Sequence, residues 1–370
     1  MNVSLENLLG RKEKLQQFFI PPYLEIFFPE DLIQGKKINL IGEFPRRVEQ
    51  YEKIAECNGF YLNTPLAGII SIRNENPYIF SLKVSGKNQI TNYFKNGKEI
   101  KNPHNVDKKD WFEFLNLNGL YSFEYKKSLA EIFQNSLSKI IFLLSDSYVP
   151  LFWQNLFSFY QKELILLRDF LKNLYPQMEI VYYPEYKKKL SQRELFYNIN
   201  NNKYHYRYIE FKNSHNSIVF SPATLFAIIR ALYYNEPFTK NIFILKDYTK
   251  EQTCVSFFYH GTNFKELDLK IPYLIHFNHK DIIVLEENYH FNIYEDYYYY
   301  YKERESKNIC TACMICNHFC PVNAYPMSLY ENKTYFKVEQ CILCGACEEV
   351  CESNLPIMEK IRKIKYEISI

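Results

Sequence analysis

The hydrophobic pattern divides the chain into four stretches of different character. Residues 1–100 read as β-rich: apolar runs at 37–41, 68–73 and 78–84 are separated by Pro, Asn and Gly turns. Residues 101–235 mix strand and helix periods. The apolar run at 139–144 predicts a buried strand. A helix follows from about 151 to 174, with Leu156, Tyr160, Leu164, Leu167, Leu171 and Leu174 on one stripe and Asn173 and Pro176 marking its end. Further strands are expected at 179–183 and 217–220, and a second helix at 224–234, closed by Pro237. Short strands return at 241–246, 254–259 and 281–286, with a helical stretch near 264–267. The tyrosine run at 297–301 has no alternation and fits either a strand extension or a linker. Beyond Ser306 the composition turns cysteine-rich. Behind Pro356, Ile357, Ile361, Ile364 and Ile368 recur at i, i+4, i+7 and i+11, the signature of an amphipathic helix.

Composition narrows the class. At about 100–200 residues per domain, a chain of 370 residues holds two to four domains, and 47% hydrophobic content gives each a core. A net charge of +3 is too small to imply nucleic acid or a membrane surface, and no nucleic-acid partner is expected. The 33 Tyr and 30 Phe sit among abundant Lys, Asn and Ile, which reads as codon bias rather than a functional aromatic surface. The N-terminal residues lack a signal-peptide core, with charges at Glu6, Arg11, Lys12 and Glu13. The densest apolar stretch, 140–174, is interrupted by Asp146, Gln161, Lys162, Glu163, Arg168 and Asp169, so no spanning helix is expected. A cytoplasmic chain with reduced thiols follows, which argues against a disulfide framework.

Eight of the 10 cysteines lie in two equal runs. Cys310, Cys313, Cys316 and Cys320 follow C-x2-C-x2-C-x3-C with Pro321 next, and Cys341, Cys344, Cys347 and Cys351 repeat the spacing. Three thiolates on a tight loop can cap three irons of one cubane. The fourth cysteine, four residues on, is expected to have entered the following helix and to point to the neighbouring site. In the two-cluster ferredoxin arrangement it ligates the other cluster. Cluster one is therefore expected to take Cys310, Cys313, Cys316 and Cys351. Cluster two is expected to take Cys341, Cys344, Cys347 and Cys320. Zinc is the main alternative, but structural zinc pairs two short C-x2-4-C arms per ion, which two triplets plus two singles match poorly. Cys57 and Cys254 read as buried, inert cysteines. Residues 306–370 balance seven basic against seven acidic side chains. Two oxidised cubanes at about −2 each would make this region distinctly acidic.

The motif region, with CPVNAYP followed by CILCGACEEVCESNLP, resembles the C-terminal dicluster domain of the RnfC family of the Rnf electron-transport complex. The resemblance extends upstream. VEQYEKIAECNGFYLNTPLAGIISI at 48–72 is similar to that family's barrel-sandwich segment, itself lipoyl-like. SPATLFAIIRALYYNEPFTKNIFILKD at 221–247 is similar to its helix and strand leading into a β-grasp domain. The resemblance implies a multidomain α+β protein. It would comprise a barrel-sandwich (lipoyl-like) β domain at 1–100, a Rossmann-like, nucleotide-binding-like α/β domain at 101–235, a β-grasp-like domain at 236–305 and a helical 2[4Fe-4S] dicluster ferredoxin domain at 306–370. It also implies a peripheral protein on the cytoplasmic face of a membrane, the other subunits of an Rnf-like complex as partners, a soluble electron donor or acceptor, and FMN and NADH as cofactors.

The family's flavin and nucleotide loops have changed here. A glycine-rich loop close to GMGGAGFPT corresponds to GLYSFEYKKS at 119–128, and an acidic segment close to NGAECEP corresponds to LSDSYVP at 144–150. Ser147 and Val149 stand where the family has glutamates, and Ala223 where it has glycine. A phosphate cradle needs several backbone N–H groups aimed at one anion without side chains in the way. Retained FMN and NADH binding is therefore not expected, and Phe123 and Tyr125 would fill the space. Glu352 replaces the proline that usually follows the fourth cysteine. The leading reading is an iron–sulfur electron-transfer subunit with two [4Fe-4S] clusters and no catalytic residues of its own. An NADH-oxidising FMN subunit and a non-catalytic scaffold are the other readings. His276, His279 and His290 are expected to be surface histidines, and 203–212 to form a strand with one solvated face. His318 lies between ligands of opposite clusters, and no sulfur contact is expected of it.

Overall fold

The computed structural model describes residues 13–15, 20–73, 76–85, 106–122, 125–135, 138–144, 150–183, 217–247, 252–263, 274–275, 282–283, 290–294, 298–302, 309–318, 320, 323–331, 337–341, 346–349, 351–353, 355–357, 360–361 and 363–364. It is a mixed helix and sheet structure. The first region forms two antiparallel sheets. One has the order Tyr23–Phe27, Asn76–Val84, Gly68–Arg73, Arg46–Val48, and the other the order Asn39–Leu40, Lys53–Cys57, Phe60–Asn63. Alternation places Leu24, Ile26, Ile70, Phe80 and Leu82 in the core, as the period-two pattern requires. Cys57 is buried as expected, donating its thiol to the Leu32 carbonyl at 3.6 Å. The Cys254 side chain and residues 203–212 lie outside the described residues.

The second region is built on three parallel strands in the order Glu179–Tyr183, Lys139–Leu143, Ser217–Phe220. Helices Lys108–Leu117, Leu129–Gln134, Gln161–Leu174 and Pro222–Tyr234 accompany it. Much of the aromatic content goes into its core. Trp111 meets Phe133 and Phe170 edge-on, and Phe142 and Phe133 stack on Phe220. The helix expected over 151–174 is two helices, Pro150–Phe159 and Gln161–Leu174. The break falls at Tyr160, whose ring is buried edge-on against Phe226 and Tyr234 and whose hydroxyl accepts from Arg230 Nη1 at 3.3 Å. The helix ending near 234 stops at Asn235 rather than at Pro237: Asn235 is left-handed at φ 52°, a C-terminal cap that asparagine tolerates.

The third region forms a six-stranded sheet with the order Glu13–Leu15, Gln252–Tyr259, Lys240–Asp247, Tyr298–Lys302, Leu274–Ile275, Ile282–Ile283. Two of its strands go beyond the sequence pattern. The tyrosine run is an internal strand, parallel to Lys240–Asp247, and Glu13–Leu15 crosses from the start of the chain to pair with Gln252–Tyr259. The helical stretch expected near 264–267 and the histidines His276 and His279 lie outside the described residues.

A close backbone approach joins the first and third regions. Glu25 N–H donates to the Gly261 carbonyl at 3.1 Å, and Phe27 N–H donates to His260 Nε2 at 3.1 Å. Burial pushes His260 down to about 3, so the ring is neutral. His290 is half-buried rather than a plain surface histidine. Its Nδ1 lies 3.1 Å from the Gly261 carbonyl and its Nε2 3.4 Å from Glu25. Gly261 has φ +83°, and a Cβ there would meet the Glu25 carbonyl oxygen at 2.3 Å. Gly261→Ala should therefore destabilise the fold by about 2 kcal/mol or more, combining the left-handed penalty with the clash. A chemical denaturation midpoint unchanged from the parent would contradict this.

Candidate iron–sulfur centre

The first cysteine motif is a surface loop that runs into the short helix Ile315–His318. Its backbone is unusual for residues other than glycine: Ala312 has φ 55° and Met314 φ 61°. Each left-handed residue costs roughly 1–2 kcal/mol. Alternating hands along a loop turn successive N–H groups towards one side, the geometry of an anion-binding nest. Asn317 holds the loop in place. Its Oδ1 accepts from Met327 N–H at 3.0 Å, tying the loop to helix Pro326–Tyr330, and its Nδ2 donates to Met314 Sδ at 3.7 Å.

Cys310, Cys313, Cys316 and Cys351 line one concave space, with Met327, Tyr330 and Leu355 among its walls. Three of these cysteines come from the first motif and the fourth from the end of the second. Burial pushes the Cys316 thiol up to about 11, and the nearby Cys351, Cys310 and Cys313 push the same way, against the lowering effect of a backbone hydrogen bond at Asn317. A thiol raised in this way becomes a thiolate readily only around positive charge, and metal binding would release its proton. The described cysteines are thiols, with no disulfide among them. A single zinc ion would need its sulfurs within about 2.3 Å of one centre. Among the described residues no group of three His, Cys, Asp or Glu is drawn together tightly enough to hold a metal ion as it stands. Four cysteine sulfurs around one concave space are a donor set that fits a multi-iron group.

The two fourth cysteines sit in matching local structures. Ala324 N–H donates to Cys320 Sγ at 3.2 Å, and Leu355 N–H donates to Cys351 Sγ at 3.5 Å, each four residues on. Such donors stabilise a thiolate and shift the potential of a bound cluster. Proline then opens the next helical stretch in both repeats: Pro326 begins helix Pro326–Tyr330, and Pro356 precedes helical residues at 357, 360, 361, 363 and 364. Ile357, Ile361 and Ile364 are buried, as the tail's period predicts, while Ile368 lies outside the described residues. Cys320, Cys341 and Cys347 are all buried, at 9%, 8% and 5% exposure, and Cys344 lies outside the described residues. His318 is exposed, its backbone N–H donating to the Met314 carbonyl at 3.1 Å.

The described residues of the 119–128 segment pack against the chain's own core. Tyr121–Ser122 and Lys127–Ser128 form a short hairpin around Tyr125. The Tyr125 hydroxyl accepts from Val219 N–H at 2.9 Å, and its ring meets Phe220 edge-on. Ser221 Oγ caps helix Pro222–Tyr234 by accepting from Thr224 N–H. Gly119 terminates helix Lys108–Leu117, and a Cβ there would meet the Tyr61 carbonyl oxygen at 2.9 Å, so this glycine serves packing. These residues do not fit a flavin phosphate. Phe123, Ser147 and Val149 lie outside the described residues.

A second concavity, of about 380 Å³, lies beside helix Pro222–Tyr234 and is walled by Phe226, Phe238 and Phe257. A buried charge cluster borders it. Glu236 pairs with both Arg230 and Lys240 and accepts from the Tyr51 hydroxyl at 3.1 Å. Burial alone would raise the Glu236 carboxyl, but Lys240 and Arg230 hold it below its ordinary value. Because Tyr51 belongs to the first region, this cluster joins two regions of the fold.

Comparison with known proteins agrees with the cysteine geometry. Residues 302–352 match the 4Fe-4S dicluster domain family. The C component of the ion-translocating oxidoreductase complex of Buchnera aphidicola subsp. Acyrthosiphon pisum (strain APS) is 27% identical over 163 residues, covering 38% of this chain and 34% of that protein. The matched stretch thus spans about a third of the relative's length. Among the described residues no helix is long and apolar enough to cross a membrane. The chain carries a 4Fe-4S dicluster domain within a mixed helix and sheet protein.

Proposed function

We propose that this chain is an iron–sulfur electron-transfer subunit of an Rnf-like, membrane-associated redox complex, peripheral at the cytoplasmic face, and that it relays single electrons through two [4Fe-4S] clusters. The observation that carries the reading is the shared concavity: Cys351 joins Cys310, Cys313 and Cys316 around one space. Cys341, Cys344, Cys347 and Cys320 form the complementary set. When bound, each cluster supplies one-electron storage at a potential set by its surroundings. This chain's contribution is to bring four thiolates to each cluster, to donate Leu355 and Ala324 N–H groups to Cys351 and Cys320, and to exclude water around the buried cysteines.

The match to a component of an ion-translocating oxidoreductase complex supports membrane subunits as partners, with a soluble protein as electron donor or acceptor. Tyr125 in place of a flavin cradle favours relay over NADH oxidation by this chain itself. The test is anaerobic purification followed by iron analysis and redox titration. About eight irons per chain, reducible in one-electron steps, are expected.

Glu352 supplies a further check. It is exposed and directly follows Cys351. A negative charge beside a cluster lowers its potential, so Glu352→Pro should raise the potential of the cluster that Cys351 holds. A titration curve that superimposes on that of the parent would refute the assignment.

A further inference from the structure

Among the described cysteines Cys313 is the exposed one; Cys310 and Cys351 are partly buried and Cys316 is buried. Beside Cys313 stand Ile309 at 84% and Met314 at 49% exposure. Cys320, Cys341 and Cys347 are buried. We propose that residues 309–314 form the electron port of this chain, a docking surface for a protein electron carrier whose contact face is apolar and rimmed by lysine or arginine. The proposal rests on the electron-relay reading above and adds which end of the relay meets a partner and what that partner presents.

Three observations carry it. First, the loop is continuous with the concavity that Cys310, Cys313, Cys316 and Cys351 line, so a carrier seated on it reaches a ligating sulfur directly. Second, its apolar side chains are held in place. Left-handed Ala312 and Met314 fix the loop's path, and Asn317 ties Met314 Sδ to the helix that follows. An isolated exposed isoleucine would mean little, but here isoleucine and methionine flank an exposed cysteine within six residues. Methionine adapts its shape to a partner at small cost. Third, no charged side chain occurs from 308 to 317, NICTACMICN, and the exposed Glu352 beside Cys351 together with a bound cluster, about −2 when oxidised, would make this face negative. A cationic rim on the carrier complements it. Short-lived redox encounters use interfaces below about 1,200 Å², and a patch of this kind suffices for one.

The experiment uses the full chain, purified anaerobically with its iron, and a c-type cytochrome with a lysine-rimmed haem edge as the probe carrier. Electron transfer from the reduced protein is followed by stopped flow. The variant Ile309→Ser should slow transfer to the cytochrome about tenfold, with iron content unchanged and transfer to a small uncharged quinone unaffected. Independently of turnover, a soluble dysprosium chelate should broaden the electron paramagnetic resonance signal that Cys351→Ala removes more than the one that Cys341→Ala removes. An unchanged cytochrome rate with iron in place, stronger broadening of the other signal, or a dimer of this chain that buries Met314 would each overturn the port and leave the relay reading standing. A parent protein without iron would overturn both.

Discussion

Cys351→Ala is expected to remove the same cluster as Cys316→Ala, although the two residues belong to different motifs. Iron should fall from about eight to about four per chain in either variant. The low-temperature resonance spectrum should lose the same component in both. Cys320→Ala and Cys341→Ala should together define the other component. The reason lies in where the motif ends. Cys351 follows the short helix Ala346–Glu349, which carries it away from its own loop. There its sulfur accepts from Leu355 N–H and faces the space that Cys310, Cys313 and Cys316 share. If each motif instead served its own cluster, Cys351→Ala would abolish the component that Cys341→Ala abolishes. The two outcomes separate in one set of spectra.

Glu236→Gln should cost the fold about 3–5 kcal/mol, because it leaves Arg230 and Lys240 buried without the carboxylate between them. Arg230 Nε lies 2.7 Å from Glu236 Oε2, and its Nη1 reaches the Tyr160 hydroxyl at the break between two helices. The loss should appear in chemical denaturation without altering iron content, since these charges lie outside the cysteine region. It also has a pH signature. The Glu236 carboxyl is held below its ordinary value of 4.5, so its contribution is present above that value and disappears as pH falls through the lower folded one. The stability of the parent should fall on acidification over that window, and the acid limb of Glu236→Gln should be flatter. Tyr51→Phe removes one hydrogen bond to the same carboxylate and should cost about 1 kcal/mol.

Legibility in the sequence followed the range of the forces involved. Strands 68–73, 179–183 and 217–220 stand where their local apolar runs placed them. The two-helix form of 150–174 was hidden, because the 3.6-residue stripe continues through Tyr160 and the break depends on Arg230, 70 residues away. The strand in the tyrosine run was hidden for a related reason. A run of identical residues carries no period, and its place is set by pairing with Lys240–Asp247. Glu13–Leu15 pairs with a strand from the other end of the fold, which no local pattern encodes.

At the candidate centre the cysteines were readable because ligand spacing is local chemistry. The residues that hold them were not. Nothing in the sequence marks Ala312 and Met314 as left-handed, since that conformation normally signals glycine. One clue lies in the second motif: Gly345 occupies the place that Met314 has in the first. Asn317 was also missed, and its bridge from Met314 to Met327 becomes visible only once helix Pro326–Tyr330 packs beside the loop.

The 370-residue chain holds 10 glycines. Of these, Gly119 is the one within 119–128, and it packs against Tyr61 at a helix end. Tyr125 meanwhile takes the Val219 N–H. The central claim is thus an electron conduit without its own flavin, and one measurement addresses it most directly: iron and flavin determined together on the full chain after anaerobic purification. About eight irons per chain are expected, with flavin well below one equivalent. Stoichiometric flavin that bleaches with NADH, or a chain holding no more than about four irons, would contradict it.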